Sequence, residues 1–490
     1  MPTTNPADLP SYEHEDYRYL APALKRLLDC YEGLYGRKDE YLPKAGLEPE
    51  KAYESRLERS VFNNKLRPIV DANAGLLTAF DVAGMPASLT AAEHDVDNHG
   101  SDLKSFCYNA NRYGLRDGSC YVLTQQEALP EGRTRTRADD LENPRRPYWK
   151  LLDRRNVLNW RVEYVAGAPV LQMVVLQMSE QVADGAFGLK TEARYHVLNL
   201  VEGGVQTQVY AIGEKGELIE TEPPSLAPIP RIPLVAYPDP AKPFSRHLPE
   251  FAKLSDLNIK LFREESTLGN IQYRVNAPTF WRRSRLPVQP MEGESGRPPF
   301  VAGENYVIEL MSADDVYGAD EVGVLEISGE GIEALQKSVT ETKADIESES
   351  LGFISGARVA RTATETYLSS AQITAGLNGK ARQMAAALRR MVEDWCMFTG
   401  EDPSAFAVEM DHSLLEMPLD AQEMAQLLGL WQAAAIDHRT LLELLRMGRQ
   451  LPPSADIEEI IARVQAEFNR QTTPTPLPNG ILGSTEEEDI

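Results

Sequence analysis

Apolar residues recur at helical spacing in three long stretches of this chain, and elsewhere the period shortens to two. Leu254, Leu257, Leu261, Leu268 and Ile271 share one face, which predicts a helix of about 20 residues and about 30 Å. Ile332, Leu335, Val339 and Ile346 stripe a second helix, with Glu333, Lys337, Glu341, Lys343 and Glu347 on its other faces. The pattern breaks at Leu351–Gly356 and resumes in a longer helix striped by Met384, Leu388, Met391, Val392 and Trp395. Gly376 and Gly379 in its first half predict a bend or loosening there. Taken alone, the second and third helices read equally as an ordinary helical hairpin.

Between the first two stripes, Pro278–Trp281, Tyr306–Leu310 and Val322–Ile327 read as strands in a Gly- and Pro-rich segment. A helix running out to a small β module and a helix running back make a stalk with a head. A stalk has little core of its own, so its stripes are expected to be covered by neighbouring copies in a ring. Leu257, Leu261, Leu335 and Val339 are the expected ring-interface residues.

Upstream, a short helix is expected near Ala23–Tyr35 and a longer one over Tyr53–Phe80, kinked at Pro68. Asp95–Gly100 reads as a turn before a helix at Leu103–Arg112. The cluster His94, Asp95, Asp97 and His99 fits neither an EF-hand loop nor a zinc-binding helix face, and turn and cap chemistry explains it better. From Gly118 the period is two. Strands are expected at Cys120–Thr124, Tyr148–Leu152, Val157–Glu163, Val170–Gln177, Glu192–Val201 and Gly204–Ile212, with a basic loop over Pro130–Pro147 and a Pro-rich link over Pro223–Pro240. The class is α+β on a mostly antiparallel sheet. Helices follow at Ala421–Ala435, Thr440–Met447 and Ile457–Asn469, then a Thr/Pro/Glu tail with the composition of disorder.

A length of 490 residues allows two to four domains. No apolar run approaches the ~18 residues that span a bilayer, and Met1–Pro6 lacks a secretory pattern. Four separated cysteines predict neither disulfides nor a cysteine zinc site, with folding in a reducing cytoplasm. The net charge of −24 argues against a sequence-independent nucleic-acid binder. That charge is uneven. Glu401–Ile490 holds five Lys or Arg against seventeen Asp or Glu, whereas Ser266–Met291 has no acid and four arginines: Arg274, Arg282, Arg283 and Arg285. A second basic cluster comprises Arg133, Arg135, Arg137, Arg145 and Arg146. Either cluster alone reads as a solvated loop.

Enzyme chemistry is not expected. Gly376-Leu-Asn-Gly379-Lys380 has the wrong spacing for a phosphate-binding loop. Ser328-Gly-Glu-Gly-Ile-Glu333 lacks the third glycine of a dinucleotide turn and carries two carboxylates. No nucleophile, zinc or Cys–His signature is present, so the expectation is no catalytic residue, no cofactor and no metal.

The order of these elements resembles the portal, or head-to-tail connector, proteins of tailed bacteriophages. The resemblance is carried by Glu40-Tyr-Leu-Pro-Lys44, Tyr53–Asn64 with Leu66-Arg-Pro-Ile-Val70, Asp97–Phe106 and Arg231-Ile-Pro-Leu-Val235. Further on it is carried by Leu254–Ile259 with Ala277-Pro-Thr279, Leu325–Gly331, Glu365-Thr366, and Ile436–Gly448 with Leu451-Pro452. It spans about residues 15–470, and the order is more specific than any single motif. Leu115–Val122 departs from the Gly-rich run usual in relatives.

The resemblance implies an α/β wing over 1–250, stem helices over 251–272 and 329–350, a small β-containing clip over 273–328 and a tunnel loop over 351–363. A long kinked wing helix over 364–402, a helical crown over 403–470 and a disordered acidic tail over 471–490 complete it. It also implies a homo-oligomeric ring of about twelve copies at one capsid vertex, assembled in the host cytoplasm and carried in the virion. Such a ring is a conduit for DNA packaging and ejection, with no membrane partner. Its implied partners are the terminase large subunit, a head–tail adaptor or neck protein, the major capsid and scaffolding proteins, and double-stranded DNA passing non-specifically. Arg282, Arg283 and Arg285 would then face the terminase or adaptor from the clip. Phe353, Arg358 and Arg361 would line the channel, unless both arginines pair with acids such as Glu347 or Glu349. Another head–tail connector or minor capsid protein is the alternative reading, and a nucleotide-dependent enzyme using the Ser328–Glu333 turn is a remote one.

Overall fold

The computed structural model describes residues 6–46, 48–126, 146–213, 217–276, 279–284, 307–311, 321–325, 329–349, 363–410, 421–433, 435–447, 450–451 and 456–472. These are mixed helix and sheet, as the alternating periods imply. They divide into two units, Met1–Met410 and Asp411–Ile490.

The first unit opens with α1 (Glu15–Tyr31), α2 (Lys38–Tyr41), α3 (Glu50–Arg59) and α4 (Leu66–Leu77). The stripe Leu20, Leu24 and Leu27 buries α1 against its neighbours. The single kinked helix expected over Tyr53–Phe80 is two helices. The chain turns extended at Ser60, whose hydroxyl donates back to the Arg56 carbonyl at 2.6 Å, and helix restarts at Leu66. Pro68 lies in the first turn of α4, where its missing N–H costs no intrahelical bond.

Next come β1 (Phe80–Ala83), α5 (Ala87–Ala91) and α6 (Leu103–Asp117). The Asp/His cluster is a turn: Asp97 Oδ1 accepts from the His99 and Ser101 amides, and Asp102 caps α6 by accepting from Ser105 N at 2.7 Å. The helix runs past the expected Arg112 because Gly114 lets it lie close to Pro238, which an added Cβ would meet at 3.0 Å. It ends at Gly118, whose φ of +76° is the left-handed stop that glycine adopts without strain.

Two antiparallel sheets follow. One has the order β3-β2-β9, with β2 (Cys120–Gln126), β3 (Pro147–Leu152) and β9 (Leu234–Tyr237). The other is a meander of β4 (Val157–Val165), β5 (Ala168–Asp184), β6 (Gly188–Val201), β7 (Gly204–Ile212) and β8 (Leu218–Ala227). Tyr121, Leu123 and Leu152 of the first sheet share one apolar cluster with Val174, Leu176, Leu198 and Val205 of the second. Strand β8 falls where only a Pro-rich link was expected. Pro223 and Pro224 are accommodated because β8 is an edge strand and both fall at an irregularity between the Thr207–Ser225 and Val209–Glu222 pairs, where neither faces a partner.

Helix α7 (Ala252–Asn276) leads to β10 (Thr279–Ser284), β11 (Val307–Met311) and β12 (Glu321–Leu325), and α8 (Gly329–Glu349) leads back. Helix α9 (Ala363–Thr399) is unbroken through Gly376 and Gly379, so Gly379-Lys380 is helix rather than loop. Its second half is a rod at the centre of the unit: Ala381, Met384, Leu388, Met391, Val392 and Trp395 are fully buried. Finally β13 (Ala407–Met410) pairs antiparallel with β1. The second unit contains α10 (Ala421–Gln432), α11 (His438–Met447) and α12 (Ile457–Thr472), with Leu441, Leu442 and Ile457 buried.

Candidate functional site

The element that sets this chain apart is the pair α7 and α8 around a three-stranded module. At about 1.5 Å per residue, the 25 residues of α7 extend about 37 Å. The helices run antiparallel, as their cross-contacts show: Lys253 pairs with Glu349 at one end, and Glu264 and Glu265 meet Ser338, Thr342 and Lys343 further along. The contact is not purely apolar. Glu264 occupies a stripe position on α7, three residues after Leu261 and four before Leu268. Thr342 holds the matching position on α8, between Val339 and Ile346. These two polar interruptions meet. Thr342 Oγ1 donates to Glu264 Oε2 at 2.9 Å and Ser338 Oγ donates to Glu264 Oε1 at 2.8 Å, while Lys343 pairs with Glu265 at 2.9 Å. A polar pair at a seam position allows one register and penalises slips. Both residues were visible in the sequence as gaps in their stripes.

The base of α7 is held by the N-terminal helices. Arg26 pairs with Asp256, Asn258 Nδ2 donates to the Asn63 carbonyl at 2.9 Å, and Asn258 Oδ1 accepts from Lys65 N at 2.8 Å. Ser60 and Ser266 share a hydroxyl bond at 2.7 Å, and the Arg59 guanidinium sits 3.8 Å from the Tyr273 ring centroid. The expectation that the stripes await neighbouring copies is therefore corrected for Leu254, Leu261 and Val339. Their own chain buries them, because α1, α3, α4 and α8 wrap α7. Leu257 and Leu335 are only half-buried.

At the far end β10 lies between β11, parallel to it, and β12, antiparallel to it. The register sets Arg282 opposite Glu309 and Val322, and Arg283 opposite Leu310 and Glu321. Arg285 lies outside the described residues, as do Phe353, Arg358 and Arg361 of the expected tunnel loop. Of the second basic cluster, Arg146 is described and pairs with Asp95 at 2.6 Å. Of the Ser328–Glu333 stretch behind the remote nucleotide reading, Ser328 lies outside the described residues and Gly329–Glu333 begin α8.

Two buried ionic clusters tie this element's supports together. Arg231, in the link before β9, donates to Asp394 on α9, whose side chain is 1% exposed. Burial pushes the Asp394 carboxyl up to about 6, against the pull of Arg231. Where α6 meets β2, Arg116 makes a two-pronged contact with Asp117 at 2.8 and 2.6 Å and also pairs with Asp153. Burial pushes Asp153 up, but the Arg155 hydrogen bond and the charges of Arg116 and Arg155 outweigh it and hold the carboxyl at about 2. Burial raises Asp117 to about 6. These pairs fasten elements to one another. Among the described residues, no group of three or more His, Cys, Asp or Glu side chains is placed to hold a metal, and no helix is long and apolar enough to cross a membrane. The four cysteines are free and buried.

A family described as a domain of unknown function, DUF4055, matches residues 250–399, the stretch from α7 through α9. No curated protein matches. Among solved structures, the chain is similar to one from the neck of an empty GTA particle, with 12% identity and a TM-score of 0.37, covering 82% of this chain and 95% of that one. It is also similar to one from the virion of a native gene transfer agent particle, with 11% identity and a TM-score of 0.35, covering 86% and 98%.

Proposed function

We propose that this chain is a portal-type subunit of a tailed-phage-like particle: a homo-oligomeric ring at one capsid vertex through which DNA enters and leaves. The observation that carries the reading is the antiparallel α7–α8 pair, rooted in an α+β body at one end and bearing a three-stranded module at the other. Helix α9 follows it and buries its second half in that body. A stem of this kind suits a conduit wall. It holds the module at a set distance from the body, and the Glu264–Thr342 contact resists sliding of one helix along the other.

In this reading the module carrying Arg282 and Arg283 docks the terminase large subunit and later the head–tail adaptor, and the body meets the major capsid and scaffolding proteins. The excess of acids keeps passing double-stranded DNA from adhering. The chain needs no cofactor and performs no catalysis of its own. Antibody against the chain, gold-labelled on intact and tail-stripped particles, tests this. Label at a single vertex, hidden until the tail is removed, is the expected result. Label over all vertices or along the tail overturns the reading.

A further inference from the structure

Strands β5 and β6 extend well beyond the sheet that contains them. Strand β4 stops pairing with β5 at Leu176, and β7 stops pairing with β6 at Tyr195. The β5–β6 ladder nevertheless continues from Met178–Arg194 to Asp184–Gly188, a two-stranded arm about 20 Å long. No residue between Ser179 and Arg194 is buried. Phe187 at the tip is 103% exposed and Leu189 beside it 68%. A two-stranded ribbon with both faces in water has no core to hold it, and a fully exposed phenylalanine at its tip has only water to contact.

The same sheet carries a groove. Where the arm leaves β7, Tyr195, Ala211, Ile212 and Ile219 line a cavity of about 470 Å³, with the ion-paired Glu192 and Arg194 at its edge. Ile219, on edge strand β8, is itself 44% exposed. The arm cannot fold back into this groove. Its tip lies about 20 Å from the groove along a continuous ladder, Arg194 pairs across that ladder with Glu180, and Lys190 and Arg194 both pair with Glu192 along β6.

We infer that the Phe187 tip of one copy docks in the Tyr195–Ile219 groove of a neighbouring copy. Knob and hole lie at different places on one chain, so the contact can pass head-to-tail from copy to copy or close reciprocally between two; the ring reading selects the first, and covalent dimers with nothing larger would overturn it. This rests on the ring reading above and assigns it a joint that lies outside the helical stem. The aromatic tip matches the Tyr195, Ile212 and Ile219 part of the lining, the Arg194 guanidinium can lie over its ring, and the groove exceeds the volume of a phenylalanine side chain, so a second copy satisfies both ends at once.

The test uses cysteines, because all four native ones are buried. The full-length Phe187→Cys/Ile219→Cys variant, treated with a short bis-maleimide, is expected to give a ladder of covalent dimers, trimers and larger species. Phe187→Cys/Glu32→Cys, treated alike, is expected to give no ladder. Phe187→Asp, an exposed site that folding does not depend on, is expected to raise the concentration for half-assembly by roughly tenfold or more. Dimers from Phe187→Cys alone would mean that arm meets arm, and would overturn the inference. An absence of ladder in protein that still images as rings would overturn it while leaving the ring reading standing. Absence of the ladder from the double-cysteine variant, together with absence of rings from the unmodified protein, would remove the ring reading as well.

Discussion

Replacing Glu264 with Leu removes the polar pin between α7 and α8. The Glu264 side chain is 14% exposed and accepts from Ser338 and Thr342, with Lys260 Nζ at 3.7 Å. Hydrogen bonds to a charged acceptor contribute roughly 1.5–3 kcal/mol each in mutational terms. Two offsets apply to Glu264→Leu: burying a leucine returns about 1.5–3 kcal/mol, and the Thr342 hydroxyl can turn to the Ser338 carbonyl one turn back. The expected net loss is therefore about 1–2 kcal/mol. Thr342→Val alone leaves a carboxylate oxygen without its donor and costs a similar ~1–2 kcal/mol. In the double variant both polar groups are gone, so the loss is expected to fall short of the sum by about 1–2 kcal/mol. A chain of this size does not unfold in one step, so the assay is native-state hydrogen exchange on peptides covering residues 255–272 and 331–349. Losses that add to within about 0.5 kcal/mol would refute the pinned register.

Four other outcomes are expected. Burial, helped by the Lys150 charge and opposed by Glu180, lowers His196 to about 4. Its neutral form is favoured by the fold, so its contribution is complete above pH 6.5 and is lost as pH falls through about 4. The span corresponds to roughly 3 kcal/mol, and the difference in melting temperature between the parent and His196→Gln should shrink from pH 7 to pH 4; a difference constant with pH counts against it. Arg231→Ala leaves Asp394 buried and unpaired and should cost about 3–5 kcal/mol, with Asp394→Asn in the same chain restoring at least half. The Asp394 contribution is complete below pH 3.8 and is lost as pH rises through about 6, so the single variant should be least impaired in acid. Reversing the charge of Arg282, Arg283 and Arg285 together should leave rings intact and reduce adaptor docking or packaging, read by co-sedimentation and by packaged DNA length. Arg358→Ala/Arg361→Ala should leave procapsids normal and shorten retained DNA; normal length in intact rings returns these arginines to ion pairs on a neighbouring helix.

Periodicity made the long elements legible. The stripe Leu254 to Ile271 announced α7, and the alternation in Gly204–Ile212 gave β7 to the residue. Signals failed where tertiary contact overrides local preference. Strand β8 carries Pro223 and Pro224 and reads as linker, yet the ladder with β7 skips both at an irregularity, so neither N–H is needed. The expected strands stop at Gln177 and resume at Glu192 and so leave out most of the arm, because Ser179–Ala193 alternates no apolar face for a ladder that packs on nothing. Pro68, the strongest breaker in the window, predicts a kink within one helix, whereas the extended turn at Ser60 divides the stretch into α3 and α4. The stripe on α7 reads as needing cover from other copies because Asn258 and Ser266, which fasten it to the segment between α3 and α4, are polar and break no stripe. Glu264 and Thr342 were in plain view, but a gap in one stripe acquires meaning only when the facing stripe has a gap at the same height.

The central claim is a closed ring with a channel, and the most direct measurement is cryo-electron microscopy of the purified full-length chain joined with its native mass. The account predicts a ring with a central hole, of mass an integral multiple of 54.5 kDa, close to twelve copies, with the α7–α8 pairs side by side around the hole and the three-stranded modules together at one end. A stable monomer at micromolar concentration, or a closed dimer with no channel, would contradict it.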